Sequence, residues 1–228
     1  MKTLCIVPAR GGSKRFPNKN ITKLGGKPLI HHTLDVATKA FDKVLFTSDS
    51  KEILEVASEH KADNLLVRMR PAHLATDTSK VIDTVNHYFE HWGHQIEQIW
   101  LCLPTCPLKS LEDLENAKIQ LTDDVDGVLS ITDYEFPPTL GLSRDYDNII
   151  SDWHDSKPWL NNNTRSQDHE VVYRPNGAFY GMWSESFKKT GNFYLGDIRG
   201  VYMPRKRSVD IDTIIDFKLA QILLEEQE

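Results

Sequence analysis

The residues best suited to chemistry lie in a basic loop at residues 8–20, directly after the apolar run Leu4–Val7. Such a run is typical of a buried strand. Gly11 and Gly12 allow a tight turn that exposes backbone N–H groups. Four cations stand close together in this loop: Arg10, Lys14, Arg15 and Lys19. Cations and exposed N–H groups beyond the end of a strand predict a site for phosphate groups.

This basic loop matches neither of two common nucleotide motifs. The Walker A pattern G-x-x-x-x-G-K-[ST] and the dinucleotide pattern G-x-G-x-x-G are both absent from it. The simpler alternative is a solvated surface loop, since most charge runs are of that kind. The glycine pair and the preceding strand favour phosphate binding, because solubility requires neither of them.

Two carboxylates near the end of the chain, Asp210 and Asp212, form the second candidate site. In extended backbone both would point to one side, while Ile211 would face the core. Two clustered carboxylates with open coordination positions suit Mg²⁺. The alternative is that Asp212 or Thr213 only caps the helix predicted for residues 214–226. A magnesium–triphosphate complex would need both the carboxylates and the basic loop.

Strands and helices alternate along the chain as far as residue 132. Strands are predicted at residues 4–7, 44–47, 64–68, 99–103 and 127–132, and helices at 28–40, 50–60, 80–92 and 110–121. Helices of this length between strands indicate β-α-β units and a mainly parallel sheet with flanking helices, an α/β fold. Ligands of such sheets bind beyond the carboxyl ends of the strands, where the basic loop begins.

Residues 133–170 interrupt the alternation. They contain Pro137–Pro138, a polar asparagine cluster and two tryptophans, Trp153 and Trp159. We predict a small inserted arm of short antiparallel strands within a single domain that spans residues 1–228. Large aromatic side chains in such an arm are typical of a contact surface, and the alternative is a mobile surface loop.

Composition excludes several classes of function. The net charge of −6 argues against a surface that binds nucleic acid. No apolar run approaches the roughly 20 residues of a membrane span, and no signal-peptide pattern is present. The 3 cysteines fit neither a disulfide framework nor a zinc pattern. We therefore expect a cytoplasmic protein without nucleic-acid or membrane partners.

Five short segments add a more specific signal. They are P-A-R-G-G-S-K-R-F-P-N-K-N at residues 8–20, R-P-A-H-L-A-T-D-T at 70–78, L-P-T-C-P-L-K at 103–109, Y-R-P-N-G-A at 173–178 and S-V-D-I-D-T at 208–213. In this order they resemble the signature segments of the acylneuraminate cytidylyltransferases, also called CMP-sialate synthetases. The resemblance covers most of the chain. It implies a Rossmann-like fold, CTP and a nonulosonic (sialic-acid-like) acid as substrates, Mg²⁺ as cofactor, and a homodimer formed through the 133–170 arm.

The resemblance also implies roles for individual residues. The nucleotide would be bound by Arg10, Gly11, Ser13, Lys14, Lys19, Asn20 and Arg70. The sugar would be bound by Arg165, Gln167, Arg174, Asn176 and Tyr180. The metal would be held by Asp210 and Asp212, and the catalytic residues would be Arg10, Lys19 and Asp212. Such a transfer depends mainly on positioning and on neutralising the charge of the phosphates.

Two departures from the family pattern leave the sugar open. Leu103 stands where the family often has glutamine, and an apolar side chain cannot make the same hydrogen bonds. Residues 137–140, P-P-T-L, stand where a histidine- or lysine-bearing segment is expected. Sialic, legionaminic and related acids are all compatible with the sequence.

Two alternative functions are open. The first is a cytidylyltransferase for an eight-carbon 2-keto acid, of the CMP-Kdo type, whose Tyr-Gly-Ser-Thr-Arg loop the segment Gly11–Arg15 does not match. The second is a catalytically silent nucleotide-binding protein on the same fold. Both aspartates and all the loop cations are present, which argues against the silent protein.

Overall fold

One seven-stranded sheet dominates the computed structural model, which describes residues 2–76 and 78–226. The strands are β1 (Thr3–Pro8), β2 (Lys23–Leu24), β3 (Lys27–Pro28), β4 (Lys43–Ser48), β5 (Leu65–Met69), β6 (Gln98–Cys102), β7 (Gly127–Asp133), β8 (Leu142–Arg144), β9 (Ile150–Asp152), β10 (Tyr173–Trp183) and β11 (Ile198–Tyr202). The α-helices are α1 (Leu29–Ala40), α2 (Lys51–Glu59), α3 (Val81–Trp92), α4 (Leu111–Gln120), α5 (Ser184–Thr190) and α6 (Ile214–Glu225).

The strand order of the large sheet is β11-β7-β10-β6-β1-β4-β5. β1 pairs in parallel with both β4 and β6, β4 with β5, and β11 with β7, whereas β10 is antiparallel to β6. The predicted α/β class with a mainly parallel, Rossmann-like sheet is thereby confirmed.

The position of β1 determines where a ligand can bind. From β1 the chain runs outward through β4 and β5, and then returns to place β6 on the other side of β1. The strand order therefore reverses between β1 and β6. Open α/β sheets bind ligands beyond the carboxyl ends of the strands at such a point. The loops that follow Pro8 and Cys102 are consequently the ones placed for binding.

Apolar strands and capped helices build this frame. All six residues of β1 are buried, as expected for a central strand with helices on both faces. Ser50 caps α2 by accepting a hydrogen bond from Ile53 N, and Ser110 caps α4 by accepting one from Asp113 N. The three cysteines are buried thiols rather than disulfides. Within the described ranges, no helix has the length and apolar character needed to cross a membrane.

The described residues form two compact units. The larger contains residues up to Ile131 and from Asn176 onward, and the smaller is Thr132–Pro175. In the smaller unit, β8 and β9 pair in antiparallel register, with Ser143 opposite Ser151. These are the short antiparallel strands expected within residues 133–170. Many apolar side chains of this unit are exposed, among them Tyr146, Ile150, Trp153, Trp159 and Leu160.

Candidate active site

A cleft in the larger unit opens at the carboxyl ends of β1 and β6. It brings together most of the residues that the sequence assigned to the nucleotide: Arg10, Ser13, Lys14, Lys19, Asn20 and Arg70. Asp212 and Leu103 line the same cleft. Asp77, which belongs to the second motif, lies outside the described residues.

The basic loop is shaped by contacts with the neighbouring strand connection. Gly11 N donates to Asp49 Oδ1 at 3.0 Å, just beyond β4. A Cβ atom at Gly11 would lie 3.0 Å from the Cβ of Ser50, so this close approach favours glycine. Asn20 is buried, and its Nδ2 donates to Arg10 O at 2.9 Å. Asn20 therefore closes the loop on itself, which fixes where the cations stand.

Asp212 joins residues 207–213, which we call the carboxylate segment, to the basic loop. Its Oδ1 accepts from Lys19 Nζ at 2.9 Å, and its Oδ2 accepts from Arg15 at 2.6 Å. Lys19 Nζ also donates to Ile211 O at 2.7 Å. Ile211 is fully buried, whereas Asp210 is exposed and Asp212 half-buried. The alternation expected of this segment is therefore present.

The cap of α6 is made by Thr213 and Asp216, not by Asp212. Thr213 Oγ1 accepts from Asp216 N, and Asp216 Oδ2 accepts from Thr213 N at 2.7 Å and from Asp212 N at 3.1 Å. Burial alone would raise the pKa of Asp216, but these hydrogen bonds outweigh it and the pKa is lowered. The carboxylate of Asp212 is thus not used by the cap, and in the cleft it pairs with Lys19 and Arg15.

Arg70 contributes a buried cation to the cleft. Its guanidinium donates to Thr47 O at 2.8 Å. Burial lowers its pKa, and the charge of Arg10 acts in the same direction. Nε of Arg70 has no hydrogen-bond partner among the described residues. Because a buried donor without a partner is costly, Arg70 is suited to donate a hydrogen bond to a ligand.

Asp212 lines the cleft and Asp210 stands two residues before it, and this pair of carboxylates fits a magnesium ion bound together with a nucleotide. Asp210 and Asp212 offer carboxylate oxygens, the ligands that Mg²⁺ prefers. The described residues contain no group of three or more His, Cys, Asp or Glu side chains able to hold a metal alone. A metal held here would therefore take its remaining ligands from phosphate oxygens and water.

The residues assigned to the sugar lie in different environments. Asn176 is only 2% exposed. Its Nδ2 donates to Ser208 Oγ at 2.8 Å, and its Oδ1 accepts from Ala178 N at 3.1 Å. The amide of Asn176 is thus used inside the protein, where it ties β10 to the segment that leads to Asp210.

Tyr180 belongs to β10 and contacts Tyr194. It is buried, and its hydroxyl accepts a hydrogen bond from the Tyr194 hydroxyl at 3.2 Å. Burial raises the pKa of Tyr180, and Tyr194 and the negative charge of Asp210 act in the same direction. Tyr180 is therefore a neutral hydroxyl near Asp210.

The other three sugar candidates belong to the smaller unit. Arg165 is exposed and lies 3.8 Å from Asp168, and Gln167 is exposed beside it. Arg174 makes a long hydrogen bond of 3.4 Å to the carbonyl of Pro175. Their roles toward a sugar stay predictions.

Sequence reasoning missed Lys109 and Tyr194. Lys109 is buried beneath the loop that follows β6. The sequence offered one signal for Lys109. The positive end of the helix dipole disfavours a lysine directly before the N-cap Ser110, so a lysine at this position indicates another role. Tyr194 follows the buried Phe193, and no motif marks it.

Comparison with known proteins identifies the family. The sequence model of the family described as "Cytidylyltransferase" matches residues 4–227. A pseudaminic acid cytidylyltransferase of Campylobacter jejuni is 34% identical over 229 residues, which cover 98% of this chain and 96% of that protein. A CMP-N,N'-diacetyllegionaminic acid synthase of Legionella pneumophila is 30% identical and is covered to 97%. An N-acylneuraminate cytidylyltransferase of Streptococcus agalactiae is also 30% identical, but this chain spans 52% of its length.

Solved structures show the same fold. A CMP:2-keto-3-deoxy-manno-octonic acid synthetase complexed with CTP has a TM-score of 0.71 at 14% identity, with all of both chains covered. A 4-diphosphocytidyl-2C-methyl-D-erythritol synthase from Anaerococcus prevotii has a TM-score of 0.66 at 14% identity. Identities this low show the fold alone. The match over residues 4–227 and the relatives at 30% and 34% identity show that the chain belongs to the cytidylyltransferase family, in the group of acylneuraminate and related nonulosonate cytidylyltransferases.

Proposed function

We propose that this protein couples CTP to a nonulosonic acid, giving a CMP-sugar and pyrophosphate. The observation that carries the proposal is the pairing of Asp212 with Lys19 and Arg15. This pairing joins the carboxylate segment to the basic loop in one cleft, at the reversal point of the sheet. The relatives named above, which carry the names of pseudaminic, legionaminic and N-acylneuraminic acids, support this class of sugar.

In the proposed reaction the cations of the basic loop hold the phosphates. Arg10, Lys14 and the backbone N–H groups of the loop bind the triphosphate of CTP. The anomeric hydroxyl of the sugar attacks the α-phosphorus, a new P–O bond forms, and the hydroxyl proton passes to solvent water. The bond from the α-phosphorus to the oxygen that bridges to the β-phosphate breaks, and pyrophosphate leaves with that electron pair. The cations offset the charge that develops on pyrophosphate.

Magnesium is part of the same proposal. Asp210 and Asp212 would hold the ion, which supplies charge neutralisation and polarises the attacked phosphoryl group. Lys19 and Arg15 hold the two oxygens of Asp212 and so orient its carboxylate. Lys19 therefore has two roles in the proposal, one toward the phosphates and one toward the metal ligand.

Several substrate contacts complete the proposal. Arg70 and Asn20 serve the nucleotide, since Arg70 lines the cleft with an unpaired donor and Asn20 shapes the loop. Tyr180 keeps its predicted role toward the sugar, as a buried neutral hydroxyl. The predicted sugar roles of Arg165, Gln167 and Arg174 belong to the same proposal. Cytoplasmic location and a homodimer formed through residues 133–170 are also proposed.

One assay tests the proposed function. Purified protein is incubated with CTP, Mg²⁺ and each of a panel of acids: sialic, legionaminic and pseudaminic acid, and Kdo as the eight-carbon control. We expect pyrophosphate release with at least one nonulosonic acid and little with Kdo. Release with Kdo alone would favour the eight-carbon alternative, and release with none would favour a silent nucleotide-binding protein.

A further inference from the structure

Lys109 is a buried cation that the chemistry described above does not use. Only 3% of its surface is exposed. Its ammonium group donates to Thr33 Oγ1 at 2.8 Å, to Leu103 O at 3.0 Å and to Cys106 O at 2.6 Å. All three of its hydrogens are thus matched by acceptors. Two of the acceptors belong to the loop after β6, residues 103–106, which we call the β6 loop.

A lysine at this position is not explained by packing. A buried ammonium group is costly unless it is fully hydrogen-bonded, and an apolar residue would fill the same space at lower cost. Burial also lowers the pKa of Lys109. The hydrogen bonds of Lys109 hold the carbonyl groups of Leu103 and Cys106 at one ammonium group, which is itself bound to Thr33 of α1. They therefore anchor the β6 loop to α1.

The β6 loop is in turn attached to the carboxylate segment at two points. Thr105 O accepts from Ile211 N at 2.7 Å, and Cys106 Sγ lies 3.6 Å from its acceptor Arg207 O. Ile211 stands between the two aspartates, and its own carbonyl accepts from Lys19 Nζ at 2.7 Å. The backbone of Ile211 is therefore held by the β6 loop through its N–H and by the basic loop through its carbonyl oxygen.

We infer that Lys109 is a positioning residue for Asp210 and Asp212. By anchoring the β6 loop, Lys109 fixes the position of the Ile211 backbone. The position of that backbone in turn determines where the carboxylates of Asp210 and Asp212 point. This inference rests on the proposed function, in which those carboxylates serve a metal-bound nucleotide. If Lys109 contributed only to overall stability, its loss would weaken the whole core evenly. A positioning role predicts a selective loss of order at Ile211, whereas a role in overall stability predicts an even loss throughout the core.

Lys109→Met is the main test, because methionine approximates the length of lysine and removes the charge and all three donors. Thr33→Val removes one acceptor only, and it serves as a second, milder variant if Lys109→Met does not fold. Leu114→Ala is the matched control. Leu114 is fully buried in α4, so its truncation lowers global stability without removing a hydrogen bond.

Two quantities are measured on each variant. The first is the hydrogen exchange of the Ile211 amide, compared with amides of β1, in protein without metal or nucleotide. The second is the Mg²⁺ concentration that gives half-maximal pyrophosphate release, compared with the KM for CTP at saturating Mg²⁺. The exchange measurement does not depend on enzymatic activity.

In Lys109→Met we expect the Ile211 amide to lose protection about tenfold more than the β1 amides do. The Mg²⁺ requirement should rise about tenfold, as is usual when a group that orients a metal ligand is lost. Thr33→Val should show smaller shifts in the same direction, and Leu114→Ala should show neither selective effect.

An even loss of protection in Lys109→Met, or an unchanged Mg²⁺ requirement, would overturn the positioning role. Wild-type protein that releases no pyrophosphate with any acid would refute the proposed function instead. The exchange comparison alone would then decide whether Lys109 holds Ile211 in place.

Discussion

The contact between Lys19 and Asp212 defines the candidate site. The sequence suggested a lysine in an exposed loop, yet Lys19 is only 9% exposed because its ammonium group reaches into the carboxylate segment. A buried cation with a carboxylate and a carbonyl acceptor is both stabilising and directional. Lys19 therefore supports the local structure as well as the proposed chemistry.

We expect Lys19→Ala to lower kcat by about a hundredfold, the usual effect of removing one donor that stabilises developing charge. It should also lower the free energy of unfolding by about 1–3 kcal/mol, because the carbonyl of Ile211 loses a side-chain donor and Asp212 loses one of its two. Arg15→Ala is the matched control, since Arg15 binds the same carboxylate from an exposed position and should affect stability little. Steady-state kinetics and thermal denaturation measure both effects. An unchanged kcat in folded Lys19→Ala would contradict the catalytic role.

Activity should require a divalent cation and should collapse in Asp212→Asn. The substitution removes one charge at nearly constant size, so packing is not the variable. Pyrophosphate release is measured as a function of Mg²⁺ concentration, with EDTA as the metal-free reference. Full activity in EDTA would refute the metal requirement, and an unchanged Mg²⁺ requirement in the variant would refute a metal site at Asp212.

The start of α6 links helix capping to the cleft. Asp216 Oδ2 receives hydrogen bonds from the backbone N–H groups of Asp212 and Thr213. The segment that the sequence assigned to a cap or to a metal site makes the cap with Thr213 and Asp216, and metal binding by Asp212 stays a proposal. Thr213 and Asp216 begin the helix, which holds the backbone of Asp212 in place while its carboxylate faces the cleft.

The cap makes stability depend on pH. Because the pKa of Asp216 is lowered in the folded state, its contribution is complete above its ordinary pKa of about 4 and is lost as the pH falls through the lower folded value. We expect Asp216→Asn to be less stable than the wild type by about 1 kcal/mol at pH 7. This difference should shrink toward pH 3.

Urea unfolding at pH 7 and pH 3 measures this dependence. Thr213→Ser, which keeps the capping hydroxyl, is the control and should follow the wild type at both values. A stability difference for Asp216→Asn that grows on acidification would contradict a lowered pKa of Asp216 in the folded protein.

The smaller unit has apolar side chains that remain exposed in the folded protein. Ile150, Trp153 and Leu160 are exposed there. Contiguous apolar surface on a folded protein is typical of an interface, and a closed two-fold pairing is the commonest way to cover it. We therefore retain the prediction of a homodimer formed through this unit.

Leu160→Asp tests the dimer. Leu160 is 74% exposed in the smaller unit, and Ile119, equally 74% exposed on α4, supplies the matched control Ile119→Asp. We expect sedimentation to show a dimer for the wild type and for Ile119→Asp, and a monomer for Leu160→Asp. A fully active monomeric wild type would exclude a dimer requirement, and an intact dimer in Leu160→Asp would put the interface elsewhere.

Local patterns were enough to predict the α/β fold, and the resemblance of five short segments pointed to the family. Alternating apolar strands and amphipathic helices determine a parallel sheet, because the period of the pattern is a property of each segment alone. The basic loop and the paired aspartates are likewise short motifs, and the order of strands then places them at one edge. The sequence by itself therefore determined where a phosphate site should be.

Only the tertiary structure decided what individual residues do inside that site. Lys19 reaches Asp212 across 193 positions, Lys109 reaches Thr33 across 76, and Asn176 reaches Ser208 across 32. No local pattern encodes such contacts, because they depend on which loops the sheet brings side by side. The burial of Lys19, the internal use of Asn176 and the anchoring of the β6 loop by Lys109 all follow from that long-range packing.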